Sequence, residues 1–508
     1  MSSNTLTEIN DLESPLTSYP KETMDPNNWD EIRELGHRMV DDMLTYLENA
    51  RKISHWKPIP AEAKSFFKQP IPKQPVPVEE VYHDFKEFIL PYPFGNTHPR
   101  FWGWIAGTGT PIGMLAEMLA AGMNTNNVGF DQIAFRVEQQ VIEWFKELFG
   151  FPDSASGLLL TGSSMANLTG LAVARNAQAT VDLRLLGLQA ESAPLIFYAS
   201  SETHSSVFKA IEFLGLGSAS LRVIPVTDQY RIDVEVLKQS IQEDRSAGRT
   251  PAVIIANAGT VNTAAIDPLD QLADLGRDEG LWLHVDGAFG ALAALSPEFQ
   301  HLVQGLERAD SIAFSLHKWM HMPYGLGCVL IRDQNIHRNT FALTHDYTSR
   351  LGGGVAAVHA EASDYGIELS RGFGALKAWM SLRAYGLDIY GRMITRNIHQ
   401  ARYLAELVHA DGKLELLAPV ELNIVCFRYN PGEITDEQLN QVNEGILIQL
   451  QEQGIAVPSH TRLKDRLAIR VAITNHRTTL ADLEAVVEGT LRIGGEVAPP
   501  VCQASSSQ

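Results

Sequence analysis

Cysteine is nearly absent: the 508 residues hold three, Cys328, Cys426 and Cys502. Their number and spacing make neither a disulfide framework nor a zinc site, so a reducing, cytoplasmic setting is expected. Long apolar runs are missing too, which leaves no segment of the roughly 20 residues that cross a bilayer and excludes a membrane partner by that route. Positive charge is in deficit, with 41 Lys and Arg against 60 Asp and Glu, and a net charge of -19 argues against nucleic acid as a partner. Met1 to Asn28 is polar and lacks the basic-then-apolar order of a signal peptide. What is present is a chain 45% hydrophobic and 20% charged, ordinary for a globular protein and long enough for two or three structural units.

Periodicity divides the chain. Trp29 to Arg51 carries Ile32, Leu35, Met39, Met43 and Leu47 at helical spacing, a buried face that needs a partner surface. Pro58, Pro60, Pro70, Pro72, Pro75 and Pro77 then impose an extended strap. From Gly157 on, short apolar runs alternate mostly with helical patterns: Leu158 to Leu160, Pro194 to Ala199, Leu221 to Val226, Ala252 to Ala256, Leu281 to Val285, Ser311 to Phe314 and Cys328 to Ile331. Such runs suit strands covered on both faces, and the alternation predicts an α/β fold. After Gly386 an amphipathic helix leads to a C-terminal α+β unit, with strands near Leu422 to Phe427 and Leu467 to Ile473 and a helix from Leu480. The last dozen or so residues are expected to be disordered.

Chemistry concentrates in Ser315-Leu316-His317-Lys318-Trp319-Met320. A lysine between an apolar strand and a tryptophan either snorkels to solvent or is desolvated, and a desolvated amine can attack a carbonyl such as that of pyridoxal phosphate. Upstream, the strand Leu281 to Val285 ends in Asp286-Gly287-Ala288. Asp286 is either a helix N-cap or the carboxylate that keeps a pyridinium nitrogen protonated. In a parallel sheet both residues would open onto one crevice.

The segments "HVDGA" and "SLHKWM" resemble the aspartate and lysine motifs of the group II pyridoxal-phosphate-dependent amino-acid decarboxylases, and further matches run from about Pro20 to Val487. The resemblance implies the aspartate-aminotransferase fold (fold type I), with a mostly parallel seven-stranded sheet. It also implies three parts: an N-terminal dimerisation arm over 1–104, a large cofactor domain over 105–386 and a small α+β domain over 387–508. A homodimer with its active site near the subunit interface is expected.

Site residues follow from the same resemblance. Lys318 would carry the cofactor and Asp286 face its ring nitrogen, with Ala288 and His317 beside them. The turn Gly162-Ser163-Ser164, with Ser315, matches the phosphate cup; by its residues alone the turn could be an ordinary helix start. His204 in "SETHSS" matches the histidine that stacks on the ring, and Thr260 matches a threonine lining the cofactor. Between Arg338 and Arg371 lies the family's catalytic loop. "FALTHDY" points to Tyr347 as proton donor, with Tyr365 as competitor. Trp104 and Arg371 are carried over as substrate contacts.

Other patterns lose force. Gly107 to Gly113 is one residue too long for a dinucleotide fingerprint and follows no clear strand. His317 and His321 are four apart, but Pro323 makes a helix there doubtful, and no metal is expected. The expected reaction is decarboxylation of an L-amino acid to its amine, with aromatic substrates favoured because Trp104 replaces the polar residue of the glutamate branch. Acidic substrates, a decarboxylating aldehyde synthase and an aminotransferase are the alternatives, since one cofactor serves all of these reactions.

Overall fold

The computed structural model describes residues 23–343, 354, 362–432 and 434–497. Tyr347, Gly352, Gly353 and the tail 498–508 lie outside them. The helix Trp29–Glu48 starts where expected because the Asn28 side chain accepts from Asp30 N–H, and Asp30 and Glu31 put negative charge at its positive end. Of its five stripe residues only Leu35 is buried, and Ile32 keeps 38% of its surface exposed. This chain by itself leaves most of the stripe open.

The strands in chain order are β1 (Phe101–Trp102), β2 (Ser156–Leu160), β3 (Leu195–Ser200), β4 (Leu221–Ile224), β5 (Thr250–Asn257), β6 (Trp282–Asp286), β7 (Ser311–Ser315), β8 (Gly327–Ile331), β9 (Leu414–Leu416), β10 (Ile424–Tyr429), β11 (Val457–Leu463) and β12 (Arg466–Ala472). Seven of them form the main sheet in the order β2-β8-β7-β6-β5-β3-β4. Only β8 runs against its neighbours β2 and β7, so the other six point the same way. This is the mostly parallel seven-stranded sheet of the aspartate-aminotransferase type.

Continuous apolar runs make sense here because both faces are covered. Along β6, Leu283 and Val285 pack with the helices Ile133–Leu148, Val234–Ser246 and Leu269–Glu279, while Trp282 packs with the helices Ser163–Gln178 and Ser205–Phe213. A strand period of two then places His284 and Asp286 on the Trp282 face, toward the helix Ser163–Gln178. Leu160 and Ser315 both pair with Gly327, so β2 and β7 end level with each other on either side of β8. Between β6 and β7 the connection is made by three 3-10 turns, Gly290–Leu295, Gln300–Val303 and Leu306–Arg308. Pro297 and Gly305, the latter at φ 102, interrupt that crossover before an α-helix can extend.

The small sheet has the order β1-β11-β12-β10-β9. Its edge strand β1 comes from the N-terminal segment and lies parallel to β11. Trp102, in β1, is 1% exposed and donates to Thr478 Oγ1 at 3.2 Å. The end of the arm therefore belongs to the C-terminal unit, a pairing of distant segments that periodicity does not show. Among the described residues no helix is long and apolar enough to cross a membrane.

One buried carboxylate ties these termini together. Asp482 accepts from Arg51 Nη1 at 2.9 Å, Arg100 Nε at 2.8 Å and Thr479 N–H at 2.9 Å. Burial pushes its pKa up, but the two guanidinium bonds outweigh that and hold it at about 2, below the ordinary 3.8. A depressed pKa contributes stability above about pH 4 that is lost as the pH falls toward 2. Asp482→Asn is expected to cost about 2 kcal/mol at neutral pH and to flatten the acid limb of the stability curve. Urea denaturation of both proteins at a series of pH values checks this; parallel pH profiles would refute it.

Candidate active site

The converging strand ends build a pocket of about 280 Å³. Its wall includes Gly162, Ser163 and Ser164 after β2, His204 after β3, Asp286 and Ala288 at the end of β6, and Ser315, His317 and Lys318 after β7. Sequence reading named all of these. The structure brings them together because a parallel sheet gathers its carboxyl ends.

Lys318 is half-buried at this pocket. Burial lowers its pKa and the nearby Arg470 cation adds to that, while the Asp286 carboxylate opposes it. The net effect favours the neutral, nucleophilic amine. The chain reaches this close packing through Gly107, where a Cβ would come within 2.0 Å of the His317 carbonyl oxygen and 2.6 Å of that of Lys318. That glycine run serves close approach to the lysine loop.

Asp286 is 5% exposed, and the hydrogen bonds that reach it come from neutral amides: Asn167 Nδ2 at 2.9 Å and Ala288 N–H at 3.1 Å. Neutral donors orient a buried carboxylate without neutralising it, so a protonated ring nitrogen fits as its partner. On the opposite side, the helix Ser163–Gln178 opens at Gly162 with no side-chain cap. Its first-turn amides line the pocket at the positive end of the helix. The hydroxyls of Ser163 and Ser315 touch, and Ser163 N–H donates to Ser315 Oγ at 3.3 Å. That donor set suits a phosphate, and the pocket as a whole fits pyridoxal phosphate.

His204 caps the helix Ser205–Phe213, its Nδ1 accepting from Ser206 N–H at 3.1 Å. Burial lowers its pKa, so the ring stays neutral with its proton on Nε2. His317 Nδ1 lies 2.9 Å from the Leu326 carbonyl oxygen, and burial with the Lys318 charge lowers its pKa to about 4. The stretch from His317 to His321 is not helical.

Three expected contacts are not brought to this pocket. Arg371 is the clear correction: its guanidinium is buried against Glu138 at 2.6 Å, the Leu159 carbonyl at 2.5 Å and the Asn127 carbonyl at 3.1 Å. It ties the loop at Asn127 to β2 and to the helix Ile133–Leu148, and it lines a neighbouring cavity with Glu138 and Leu159, not the Lys318 pocket. Thr260 Oγ1 sits 3.1 Å from Thr263 Oγ1 and accepts from Ala265 N–H, holding its own turn. Trp104 is 57% exposed, at φ 52, with its ring 5.3 Å from that of Phe94 and its carbonyl accepting from Arg470 Nη1 at 2.9 Å. Tyr365 packs on His337, ring centroids 5.0 Å apart, and does not line the pocket. Tyr347 lies outside the described residues.

Sequence reading missed Asn167, Ser206 and His284. Two signals were available: Asn167 lies one helical turn beyond Ser163, and His284 stands two residues before Asp286, on the same face of β6.

A parallel α/β sheet whose carboxyl ends hold a desolvated lysine, a buried aspartate and a phosphate cup defines an enzyme of the pyridoxal-phosphate type. Residues 60–430 match the pyridoxal-dependent decarboxylase conserved domain, and the chain belongs to that family. It is a pyridoxal-phosphate-dependent amino-acid decarboxylase, a carboxy-lyase. It is 34% identical over 472 residues to an aromatic-L-amino-acid decarboxylase of Bacillus atrophaeus, across 92% of this chain and 96% of the relative. A phenylacetaldehyde synthase of Petunia hybrida is 30% identical over 467 residues, across 87% of this chain and 90% of the relative. The crystal structure of Oryza sativa TDC with PLP and tryptamine superposes with a TM-score of 0.86 at 25% identity, covering 94% of this chain and all of that one.

Proposed function

We propose that the chain converts an aromatic L-amino acid to its amine and carbon dioxide at the Lys318 pocket, working as a homodimer. The observation that carries this reading is the meeting of Lys318, Asp286, His204 and the uncapped helix start in one pocket. Two of the relatives above act, by their names, on aromatic amino acids or form an aromatic aldehyde. When bound, pyridoxal phosphate supplies an aldehyde for the substrate amine and a protonated ring that draws off the electron pair left by departing carbon dioxide.

The chain's own residues would do the rest. Ser163, Ser164, Ser315 and the helix amides would hold the phosphate, and Lys318 the aldehyde carbon. Asp286 would hold a proton on the ring nitrogen, because its buried carboxylate is oriented as an acceptor by two neutral amides. His204 presents Nε2–H to the pocket, a donor suited to orienting a substrate carboxylate. Tyr347 is assigned the return of a proton to Cα, on the strength of "FALTHDY". A second copy of the chain would cover the open apolar side chains Trp29, Ile32, Ile71, Val78 and Val81 of the N-terminal region.

A second reading, aldehyde synthase, is favoured by the phenylacetaldehyde synthase relative. One experiment separates the two: amine, carbon dioxide, oxygen uptake and aldehyde measured together on aromatic, acidic and basic amino acids. The decarboxylase reading expects amine equal to carbon dioxide on the aromatic members and no oxygen uptake. An aldehyde synthase would instead consume one dioxygen per turnover and yield aldehyde, ammonia and hydrogen peroxide. Tyr347→Phe is expected to keep releasing carbon dioxide while its amine yield falls about 100-fold or more, the low end of general-acid contributions. An unchanged amine yield would move the proton-donating role away from Tyr347.

A further inference from the structure

Behind Asp286 a file of buried polar groups crosses from the sheet to the helix Ser163–Gln178 and reaches the pocket wall at Asn167. Trp282 Nε1 donates to Ser311 Oγ at 2.8 Å, Ser311 Oγ lies 2.8 Å from His284 Nδ1, His284 Nε2 lies 3.0 Å from Asn167 Oδ1, and Asn167 Nδ2 donates to Asp286 Oδ2 at 2.9 Å. His284, Ser311 and Asn167 are each 0% exposed. None is exposed, and of the three only Asn167 lines the pocket.

The direction of every proton in this file can be worked out from its ends. An indole N–H can only donate and an ionised carboxylate can only accept. Ser311 therefore receives from Trp282 and has its own proton free for His284 Nδ1. Asp286 requires the Asn167 amide nitrogen to face it, which turns the Asn167 oxygen toward His284 and demands a proton on Nε2. Burial holds the His284 pKa down to about 4 against the pull of Asp286, so the ring is neutral and carries that single proton. A flipped Asn167 would set its oxygen against the carboxylate and break both bonds.

We propose that Asn167 and His284 are positioning residues for the cofactor site: the His284 N–H locks the Asn167 amide in the one orientation that holds Asp286 as an acceptor toward the ring nitrogen. The same amide nitrogen lies 3.3 Å from Ser206 Oγ, which is 2.8 Å from His204 Nδ1. One locked amide thus supports both the carboxylate at the ring nitrogen and the histidine at the pocket wall. Gly170 is part of the device. A Cβ there would come within 2.7 Å of His284 Cε1 and 3.0 Å of Nδ1, so the helix lacks a side chain where the imidazole lies.

This inference rests on Asp286 serving the ring nitrogen, and the test separates the two. Asn167→Leu, His284→Phe and His284→Gln are compared with Asp286→Asn for cofactor dissociation constant, kcat and KM. Asn167→Leu and His284→Phe, which keep volume but lose the donor, are expected to weaken pyridoxal phosphate binding and lower kcat by roughly 10- to 100-fold, the scale seen when an outer partner of a ligating side chain is lost. Substrate KM should move little. His284→Gln, whose amide can still donate to Asn167, should recover most of the loss, which a purely packing role would not produce.

The second readout uses the cofactor-free wild type: nitrogen-15 histidine spectra should show His284 protonated at Nε2 and bare at Nδ1 at pH 7. The opposite tautomer, or wild-type cofactor affinity in Asn167→Leu beside a defective Asp286→Asn, overturns the relay and leaves the site assignment standing. Unchanged affinity in Asp286→Asn overturns the site assignment itself.

Discussion

Lys318→Ala is expected to have no measurable turnover and to incorporate no cofactor on borohydride reduction, while the wild type is labelled at Lys318 alone. The expectation follows from placement. Lys318 is the lysine in the pocket wall, facing the same space as Asp286 and His204, and its amine is biased toward the neutral form by burial. Among the described residues no other lysine lines that space. Losing a covalent nucleophile removes a whole step, so the fall in kcat is expected to reach several orders of magnitude, on the order of the 10⁴-fold or greater losses seen when a nucleophile is deleted. Peptide mapping after reduction, with kcat measured on the same preparation, decides it. A labelled peptide that does not contain Lys318 would overturn the assignment.

The second large effect belongs to Asp286→Asn. The wild-type carboxylate is buried and oriented by Asn167 and Ala288, so it can hold a proton on the ring nitrogen. The amide is isosteric but neutral. Its N–H either meets the Asn167 amide donor, which pairs donor with donor, or faces the ring nitrogen, which can accept it only when unprotonated. Breaking one half of a buried charge pair costs about 3–5 kcal/mol, which is two to nearly four orders of magnitude in the combined loss of cofactor affinity and kcat. Cofactor titration of the apoprotein, followed by kcat at saturating cofactor, apportions the loss. Near-normal values for both would remove Asp286 from the ring nitrogen.

Much of the site was legible because its signals are local. An apolar run ending in a charged residue marks a strand end, and in parallel sheets strand ends are where ligands bind. Lys318, Asp286, Ser315 and the Gly162–Ser164 turn each carried that mark, and each lines the pocket. The central strands were visible for the same reason, since burial on both faces writes itself as continuous apolar runs. Residues whose chemistry depends on distant partners were not legible. Arg371 reads as a free cation until Glu138, 233 residues away, is found against it. Asn167 reads as an ordinary helical residue until β6 is seen beneath it.

By itself, then, the sequence determined the strand and helix periods and the two chemical motifs, because these depend on the preferences of neighbouring residues along the chain. Only the tertiary structure decided that Phe101–Trp102 completes the small sheet, that Arg371 is neutralised, and that His284 stands behind Asn167. Those are pairings across long separations. They are selected by where buried charges and donors find partners once the sheet and its two helical layers close, and no local pattern records that choice.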